Sequence, residues 1–250
     1  MSRKANTRIK IIDEETKTNT LKIKLDDLKT FQPLTENQKK FFEGYKRGDY
    51  FVALHGVAGT GKTFCAMYKA LEEVLDKSNP FKKIIVVRSA VQSREIGHLP
   101  GDVTEKMEIY QQPYQQICET LFGRKDAYQR LTEQGFVEFI STSFIRGMSF
   151  DDAIIIVDEM QNLTFEEIDT VMTRVGYRSK IIWCGDYRQT DLNKKKNDMS
   201  GILKFFDIAM HMEAFTKIEF TPDDIVRSSL VKDYILAKLR YEDHVPPYSS

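Results

Sequence analysis

Short apolar runs bounded by polar or charged residues recur along the chain and predict the strands of a sheet. Several runs are continuous rather than alternating, which is typical of strands buried on both faces in a parallel sheet that is covered by helices. The predicted strands cover residues 51–54, 83–88, 136–140, 153–157 and 180–184, with a further strand near 218–220.

Between these runs, apolar residues recur at helical spacing. Thr35 and Thr164 are candidate N-caps, and Pro113 inside one long segment predicts a kink or a break. One predicted helix follows Thr35, and the others cover residues 64–75, about 102–122, 126–134, 165–175 and 222–241. This alternation of strands and helices predicts an α/β fold with a doubly wound, mainly parallel sheet.

The N-terminal segment has a different pattern. Arg8–Ile12 and Leu21–Leu25 both alternate apolar with charged residues, and a polar stretch separates them, so we expect a β-hairpin. The predicted organisation is therefore an N-terminal appendage over residues 1–30, a catalytic-type domain over 31–241 and a tail over 242–250.

Composition narrows the class of protein but not its activity. The chain has 250 residues, 41% of them hydrophobic and 30% charged, which is ordinary for a globular protein of one large domain. We find no apolar run of membrane-spanning length and no signal-type segment, and therefore expect a cytoplasmic protein without a membrane partner. The net charge is zero, so any nucleic-acid binding must depend on a local patch of charge.

A glycine-rich motif lies between the first predicted strand and the helix that follows it. Its spacing is G-x-x-x-x-G-K-T, which allows successive backbone N–H groups to surround a phosphate at a helix N-terminus. The predicted nucleotide-binding residues are Val57, Ala58, Gly59, Thr60, Gly61, Lys62 and Thr63. Lys62 would reach the terminal phosphates, and the Thr63 hydroxyl would be a ligand of Mg²⁺.

Two carboxylates, Asp158 and Glu159, follow the most apolar predicted strand. Ligands of open parallel sheets gather at the carboxyl ends of the strands, where the glycine motif also lies. Asp158 is a candidate to hold Mg²⁺ through its water shell, and Glu159 to polarise the attacking water. Gln189, after the next strand, would lie beside the terminal phosphate. A glutamate in the second position favours hydrolysis over transfer to another substrate.

Gln38 lies just upstream of the glycine motif and has two alternative roles. It could complete a capping box with Thr35, because it lies three residues further on. Its amide could instead pair with the donor and acceptor of an adenine edge.

Four motifs in this order resemble those of the PhoH family: Gly56–Thr63, Asp158–Asn162, Thr173–Gly176 and Gly185–Leu192. The resemblance covers residues 33–235 and includes Leu99–Asp102. Ser89, Ser93–Arg94 and Met160 depart from the family pattern. The resemblance implies a RecA-like P-loop NTPase fold, similar to one motor domain of superfamily 1 helicases, with ATP and Mg²⁺ as cofactors.

Helicases of this type close the ATP site with an arginine from a second motor domain, and this chain has room for only one. We therefore expect a homo-oligomer, which the resemblance suggests is a hexameric ring, in which a neighbour supplies the arginine. Arg174 is the first candidate and Arg227 the second. The alternative for each is a surface arginine that is paired locally.

Candidate contacts to single-stranded RNA or DNA are basic residues near the predicted site: Arg88, Arg94, Arg146, Lys194, Lys195 and Lys196. Phe144, Phe150 and Tyr187 are candidate stacking platforms. The leading hypothesis is an ATPase coupled to single-stranded nucleic acid. The alternative is an ATP-driven assembly or switch module that acts on a protein partner. Glu159 and Gln189 disfavour a small-molecule kinase, and the lack of an Asn-Lys-x-Asp segment disfavours a GTPase.

Overall fold

The computed structural model describes residues 22–89, 103–186 and 200–244. Within these ranges the sheet has six strands in the order β3-β2-β4-β5-β1-β6, and every pairing is parallel. The strands are β1 (Phe51–Gly56), β2 (Lys83–Arg88), β3 (Val137–Ser141), β4 (Ala153–Val157), β5 (Lys180–Gly185) and β6 (Phe215–Phe220). The prediction of a doubly wound parallel sheet is confirmed.

Most connections between strands contain α-helices, as is usual for parallel pairing, whereas the segment between β3 and β4 has only a short 3₁₀ helix. The α-helices are α1 (Glu36–Arg47), α2 (Lys62–Leu75), α3 (Val103–Phe122), α4 (Ala127–Glu133), α5 (Phe165–Met172), α6 (Ser200–Ala209) and α7 (Ser229–His244). Short 3₁₀ helices form at Leu25–Asp27, Thr142–Phe144, Met160–Asn162 and Pro222–Asp224.

Two hydrophobic clusters cover the two faces of the sheet. Alternate residues of β1 show the division, because Val52 and Leu54 belong to one cluster while Phe51 and Ala53 belong to the other. The first cluster includes buried residues of α1 to α4, and the second includes those of α5 and α6. The continuous apolar runs of the strands follow from this burial on both faces.

Several helix predictions need correction at their ends. Pro113 does not break α3, which continues through it. The helix predicted to run on to residue 175 ends at Met172, because Val175 instead bridges Phe150 beside the start of β4. The single helix predicted from Pro222 is instead two elements, a 3₁₀ turn and α7. Extended backbone at Ile225 separates them.

The N-terminal prediction is wrong where the structure tests it. Residues 22–25, predicted as the second strand of a hairpin, are not a strand, and a 3₁₀ helix follows at Leu25–Asp27. The Asp27 carboxylate accepts a hydrogen bond from the Lys24 N–H at 2.8 Å, which turns the chain. Ile23 is buried in the first hydrophobic cluster, so it packs on the helices rather than in a second sheet. The other predicted strand of the hairpin lies outside the described residues.

Candidate active site

The glycine motif forms a loop between β1 and α2 at the carboxyl edge of the sheet. Gly56, Gly59 and Gly61 have φ values of 120°, 76° and 79°, a region that favours glycine. Gly56 has a second constraint, because a Cβ placed on it would lie 2.1 Å from the Phe220 carbonyl oxygen of β6. The loop can therefore take this tight path only with glycine at that position.

Lys62 closes this loop on itself. Its Nζ donates to the carbonyl oxygens of Gly56 and Val57, both at 2.8 Å, and to the Thr60 hydroxyl at 3.3 Å. Burial lowers the pKa of Lys62, and the negative charges of nearby carboxylates, Asp186 first, oppose that shift. The ammonium is thus directed into the concavity of the loop, where a phosphate would replace carbonyl oxygens as its partner.

Asp158, directly after β4, is held from both sides. Its Oδ1 accepts from the Thr63 hydroxyl at 2.7 Å, and its Oδ2 accepts from the Tyr114 hydroxyl of α3 at 2.8 Å. A hydroxyl beside a carboxylate is an oxygen pair of the kind that Mg²⁺ prefers, and P-loop proteins hold the ion with these two residue types. Thr63 and Asp158 therefore fit the magnesium role that the sequence analysis gave them, which stays a prediction.

Tyr114 is a site residue that we did not predict. It is fully buried, and burial raises its pKa well above the usual value, so the phenol stays protonated and can only donate to the carboxylate. It lies 44 residues from Asp158 in sequence, and no local pattern distinguishes it from an ordinary core tyrosine.

Glu159 adopts a left-handed backbone conformation, with φ at 52°, at the point where β4 ends. Burial, and secondly the charge of Asp158, raise the pKa of its carboxyl, while Arg88, Gln161 and Lys62 act in the opposite direction. A carboxylate with a raised pKa is a better proton acceptor near neutral pH than an ordinary glutamate.

Gln161 is a second site residue to which the sequence analysis gave no role, although it lies within the motif Asp158–Asn162. Its Nε2 donates to Glu159 at 2.5 Å, and its Oε1 accepts from the Asp186 N–H at 3.0 Å. A Cβ on Gly185 would lie 2.3 Å from that Oε1, so glycine there allows the amide to fit. Gln161 therefore ties the ends of β4 and β5 together and orients Glu159.

These groups surround one cavity of about 560 Å³. Among the predicted site residues its lining includes Gln38, Ala58, Gly59, Thr60, Gly61, Lys62, Thr63, Arg88, Asp158, Glu159 and Arg227. Val57, also predicted, is buried beneath the loop and offers its carbonyl to Lys62. Pro113, Gln116 and Ile117 of α3 form another part of the wall.

Gln38 is buried and holds the loop in place. Its Oε1 accepts from the Leu34 N–H at 2.8 Å, and its Nε2 donates to the Thr60 carbonyl at 2.9 Å. Thr35 caps α1 as predicted, through the Gln38 N–H, but the reciprocal half of the capping box goes to Leu34 instead. Each of these bonds uses one of the two acceptor sites or one of the two N–H donors of the amide, so an adenine could pair with the remaining ones or replace a partner.

The predicted arginines lie in different places. Arg88 ends β2 in the cavity wall, with its guanidinium carbon 5.4 Å from the Tyr110 ring centroid. Arg174 is at the amino edge of the sheet, where its Nε donates to the Ile145 carbonyl and its Nη1 to the Thr173 hydroxyl. It is not among the residues that line the cavity. Arg146 is exposed on the segment between β3 and β4.

Of the stacking candidates, Phe144 is 59% exposed, whereas Phe150 is buried in the second cluster and cannot stack on a base. Gln189, Tyr187, Arg94, Lys194, Lys195 and Lys196 lie outside the described residues. Across the ranges that the structure describes, no helix is long and apolar enough to cross a membrane.

The fold and this site define a P-loop protein, in which a glycine loop between a strand and a helix faces the acidic end of a parallel strand two positions away in the sheet. The chain belongs to the PhoH-like protein family, whose sequence profile matches residues 30–238. The resemblance stated from the motifs is therefore confirmed.

Curated relatives include a PhoH-like protein of Mycobacterium leprae, 35% identical over 90% of this chain, and one of Bacillus subtilis, 36% identical over 84%. The chain spans 63% and 64% of the length of these two relatives. The protein PhoH of Escherichia coli is 34% identical over 70% of the chain and 49% of its own length.

Solved structures similar to this chain include helicases. A structure of two coordinating Pif1 helicases at forked double-stranded DNA has a TM-score of 0.36 at 18% identity, covering 76% of this chain and 44% of the other. The Pyrococcus furiosus Hef helicase domain has a TM-score of 0.41 at 13% identity, covering 75% and 39%. Similarity at this level supports no conclusion about activity.

Proposed function

We propose that the protein binds ATP with Mg²⁺ and hydrolyses it. The observation that carries this proposal is the 2.7 Å hydrogen bond between Thr63 and Asp158, which joins the glycine loop to the acidic end of β4 within one cavity. Lys62 and the backbone N–H groups of the loop would hold the phosphates, while Thr63 and Asp158 would hold the ion. The ion would supply charge neutralisation at the phosphates.

Glu159 is the proposed general base. Its carboxylate must be ionised to accept a proton from water, and its raised pKa makes that acceptance more favourable. Gln161 fixes the carboxylate through its amide and ties it to the end of β5. Gln189, which follows β5 in sequence, remains our candidate to orient the water or sense the terminal phosphate.

We propose that hydrolysis is coupled to binding or remodelling of single-stranded RNA or DNA. Arg88 supports this proposal, because it lies in the wall of the ATP cavity and stacks on Tyr110 of α3, so a polymer held there would contact the site directly. Arg146 and the exposed Phe144 lie on a neighbouring segment after β3. The alternative is an ATP-driven module that acts on a protein partner.

One experiment distinguishes coupling to nucleic acid from action on a protein partner. ATP turnover is measured with and without single-stranded RNA and DNA across a series of salt concentrations. Stimulation that weakens as salt rises supports nucleic-acid coupling, because phosphate contacts release counterions. Turnover that is indifferent to every polynucleotide would refute the coupling while leaving the ATPase proposal intact.

We also propose a homo-oligomer, a hexameric ring by resemblance to the family, in which Arg174 reaches a neighbour's site. Its place at the amino edge, with the cavity at the carboxyl edge, supports a role in trans over one in its own chain. Arg174→Ala should lower turnover by orders of magnitude while the oligomer stays intact by light scattering. Full activity of an intact Arg174→Ala oligomer would exclude this arginine.

A further inference from the structure

The segment between β6 and α7 lies directly on the glycine loop. The Val226 N–H donates to the Gly59 carbonyl at 3.1 Å. A Cβ placed on Gly59 would lie 3.0 Å from Cγ of Arg227 and 3.4 Å from Cδ1 of Ile235. The loop is therefore in contact with the C-terminal part of its own chain, and glycine at position 59 permits that approach.

Asp224 fixes this segment. It is 2% exposed, and its Oδ2 accepts from the Asn37 side chain at 2.7 Å and from the Thr221 N–H at 2.8 Å. Asn37 precedes Gln38, whose amide holds the Thr60 carbonyl of the same loop. The backbone that carries Arg227 is thus tied to the loop directly and through α1, so its position is set by the fold of one chain.

The guanidinium of Arg227 is available for a ligand. Arg227 is exposed and lines the cavity. Within residues 22–89, 103–186 and 200–244, no carboxylate forms an ion pair with it. Some other basic residues of the described chain do form ion pairs, as Arg178 does with Asp152 and Lys180 with Glu73. An unpaired arginine beside a phosphate-binding loop suits an anion, because the guanidinium presents several donors in a planar fork.

We propose that Arg227 binds the polyphosphate of the nucleotide held by its own glycine loop, in cis, rather than serving as the arginine that reaches a neighbouring subunit. This inference rests on the proposed ATP site and adds a phosphate-binding residue to it. It also distinguishes the two candidate arginines, because Arg227 lines the cavity of its own chain and Arg174 does not.

Equilibrium binding tests the contact. Fluorescent mant-ATP is titrated into the wild type, Arg227→Ala, Arg227→Lys and the control Arg47→Ala, which removes a surface charge away from the cavity. Arg227→Ala should lose about tenfold or more in affinity, as expected for a charged hydrogen bond, and Arg227→Lys less. The affinity for inorganic tripolyphosphate, measured by competition with mant-ATP, should fall by the same factor, because Arg227 contacts phosphate and not the base.

A merely structural role for Arg227 would appear instead as a lower melting temperature without nucleotide and a loss that Arg227→Lys does not rescue. Affinity of Arg227→Ala within about twofold of the wild type would overturn the assignment, since it corresponds to less than a single net hydrogen bond. A wild type that binds no mant-ATP would overturn the proposed function itself, so the two failures are distinguishable.

Mixing variants separates cis from trans. Arg227→Ala keeps Lys62, and Lys62→Ala keeps Arg227, so a mixed oligomer would regain turnover only if one subunit lends Arg227 to another. We expect the mixture to show the sum of the two separate activities. Turnover clearly above that sum would contradict the cis assignment and make Arg227 a residue supplied in trans.

Discussion

Two buried lysines at opposite edges of the sheet differ in the partners of their ammonium groups. Lys180, at the amino end of β5, is paired with Glu73 at 2.7 Å, and its ammonium lies 4.1 Å from the Tyr45 ring centroid. Lys62, at the carboxyl edge, has carbonyl and hydroxyl partners, and burial lowers its pKa. One cation is paired with a carboxylate within the chain, whereas the other has only carbonyl and hydroxyl hydrogen-bond partners, and we propose that it binds phosphate.

The acidic residues repeat this contrast. At the amino edge, hydrogen bonds from Arg178 and then Lys82 hold the pKa of Asp152 at about 2. At the carboxyl edge, burial and the charge of Asp158 raise the pKa of Glu159. Removing one partner of an internal ion pair is destabilising, whereas charges kept in an unfavourable environment are typical of functional sites. The comparison predicts that substitutions at the two edges have opposite effects on binding and stability.

Exchanging the two lysines for alanine should have the largest effects. Lys62→Ala should lose about a hundredfold or more in mant-ATP affinity, because several charged hydrogen bonds to phosphate disappear. Its stability without nucleotide should be unchanged or higher. Lys180→Ala should keep the affinity but lose about 3 kcal/mol of stability, because Glu73 is left without its partner. Binding titrations and urea unfolding measure both, and equal loss of affinity in the two variants would contradict the contrast.

The pH dependence of hydrolysis tests the state of Glu159. A base must be ionised, so single-turnover hydrolysis should fall as the pH drops through the raised pKa of Glu159, above the 4.5 of an ordinary glutamate. Arg88 lowers that pKa, so Arg88→Gln should move the acidic limb to higher pH. A limb that stays in place in Arg88→Gln would show that another group titrates.

Tyr114→Phe tests the support of the magnesium site. Mg²⁺ should strengthen mant-ADP binding in both proteins. Because the variant loses one hydrogen bond to the charged Asp158, the Mg²⁺ concentration for half of this effect should be about tenfold higher than in the wild type. Binding without Mg²⁺ should not change. Tyr128→Phe is the matched control, because Tyr128 is also buried but donates to Gln111, away from Asp158. The same Mg²⁺ dependence in both variants would show that Tyr114 only packs.

The smallest effect should come from Asp152→Asn. A carboxyl with a lowered folded-state pKa stabilises the protein above its ordinary pKa of 3.8, and that contribution is lost as the pH falls towards about 2. The variant should therefore melt a few degrees lower at neutral pH, and the difference should shrink over that acidic range. Nucleotide affinity should not change. A thermal melt series across pH, beside one mant-ATP titration, makes the measurement.

Local sequence patterns were sufficient to predict the strands of the sheet and the backbone of the glycine loop. The apolar run Ala153–Val157 predicts a buried strand because its composition alone determines that no face can be exposed. The loop is predictable because the spacing of its glycines and lysine specifies the backbone that surrounds a phosphate. Helix α6 was missed, although Ile202, Phe205, Phe206 and Ala209 are buried at helical spacing that could have revealed it.

Contacts between distant parts of the chain could not be predicted in this way. The Tyr114 hydroxyl reaches Asp158, and Arg227 lies over Gly59, only because the sheet order brings α3 and the segment after β6 to the same edge. The alternation at residues 22–25 gave a strand where the structure has none, because the apolar side chain of Ile23 found a place against the helices instead. Periodicity reports which residues are buried but not against what they pack.

The central claim is that the carboxyl edge of the sheet binds ATP and that Glu159 acts there as the general base for its hydrolysis. It is tested most directly by incubating the wild type and Glu159→Gln with ATP and Mg²⁺, removing free nucleotide, and identifying what remains bound. The account predicts ADP in the wild type and intact ATP in Glu159→Gln, at similar occupancy. ADP in both proteins would contradict the role of Glu159, and a wild type that retains no adenine nucleotide and releases no phosphate would contradict the claim as a whole.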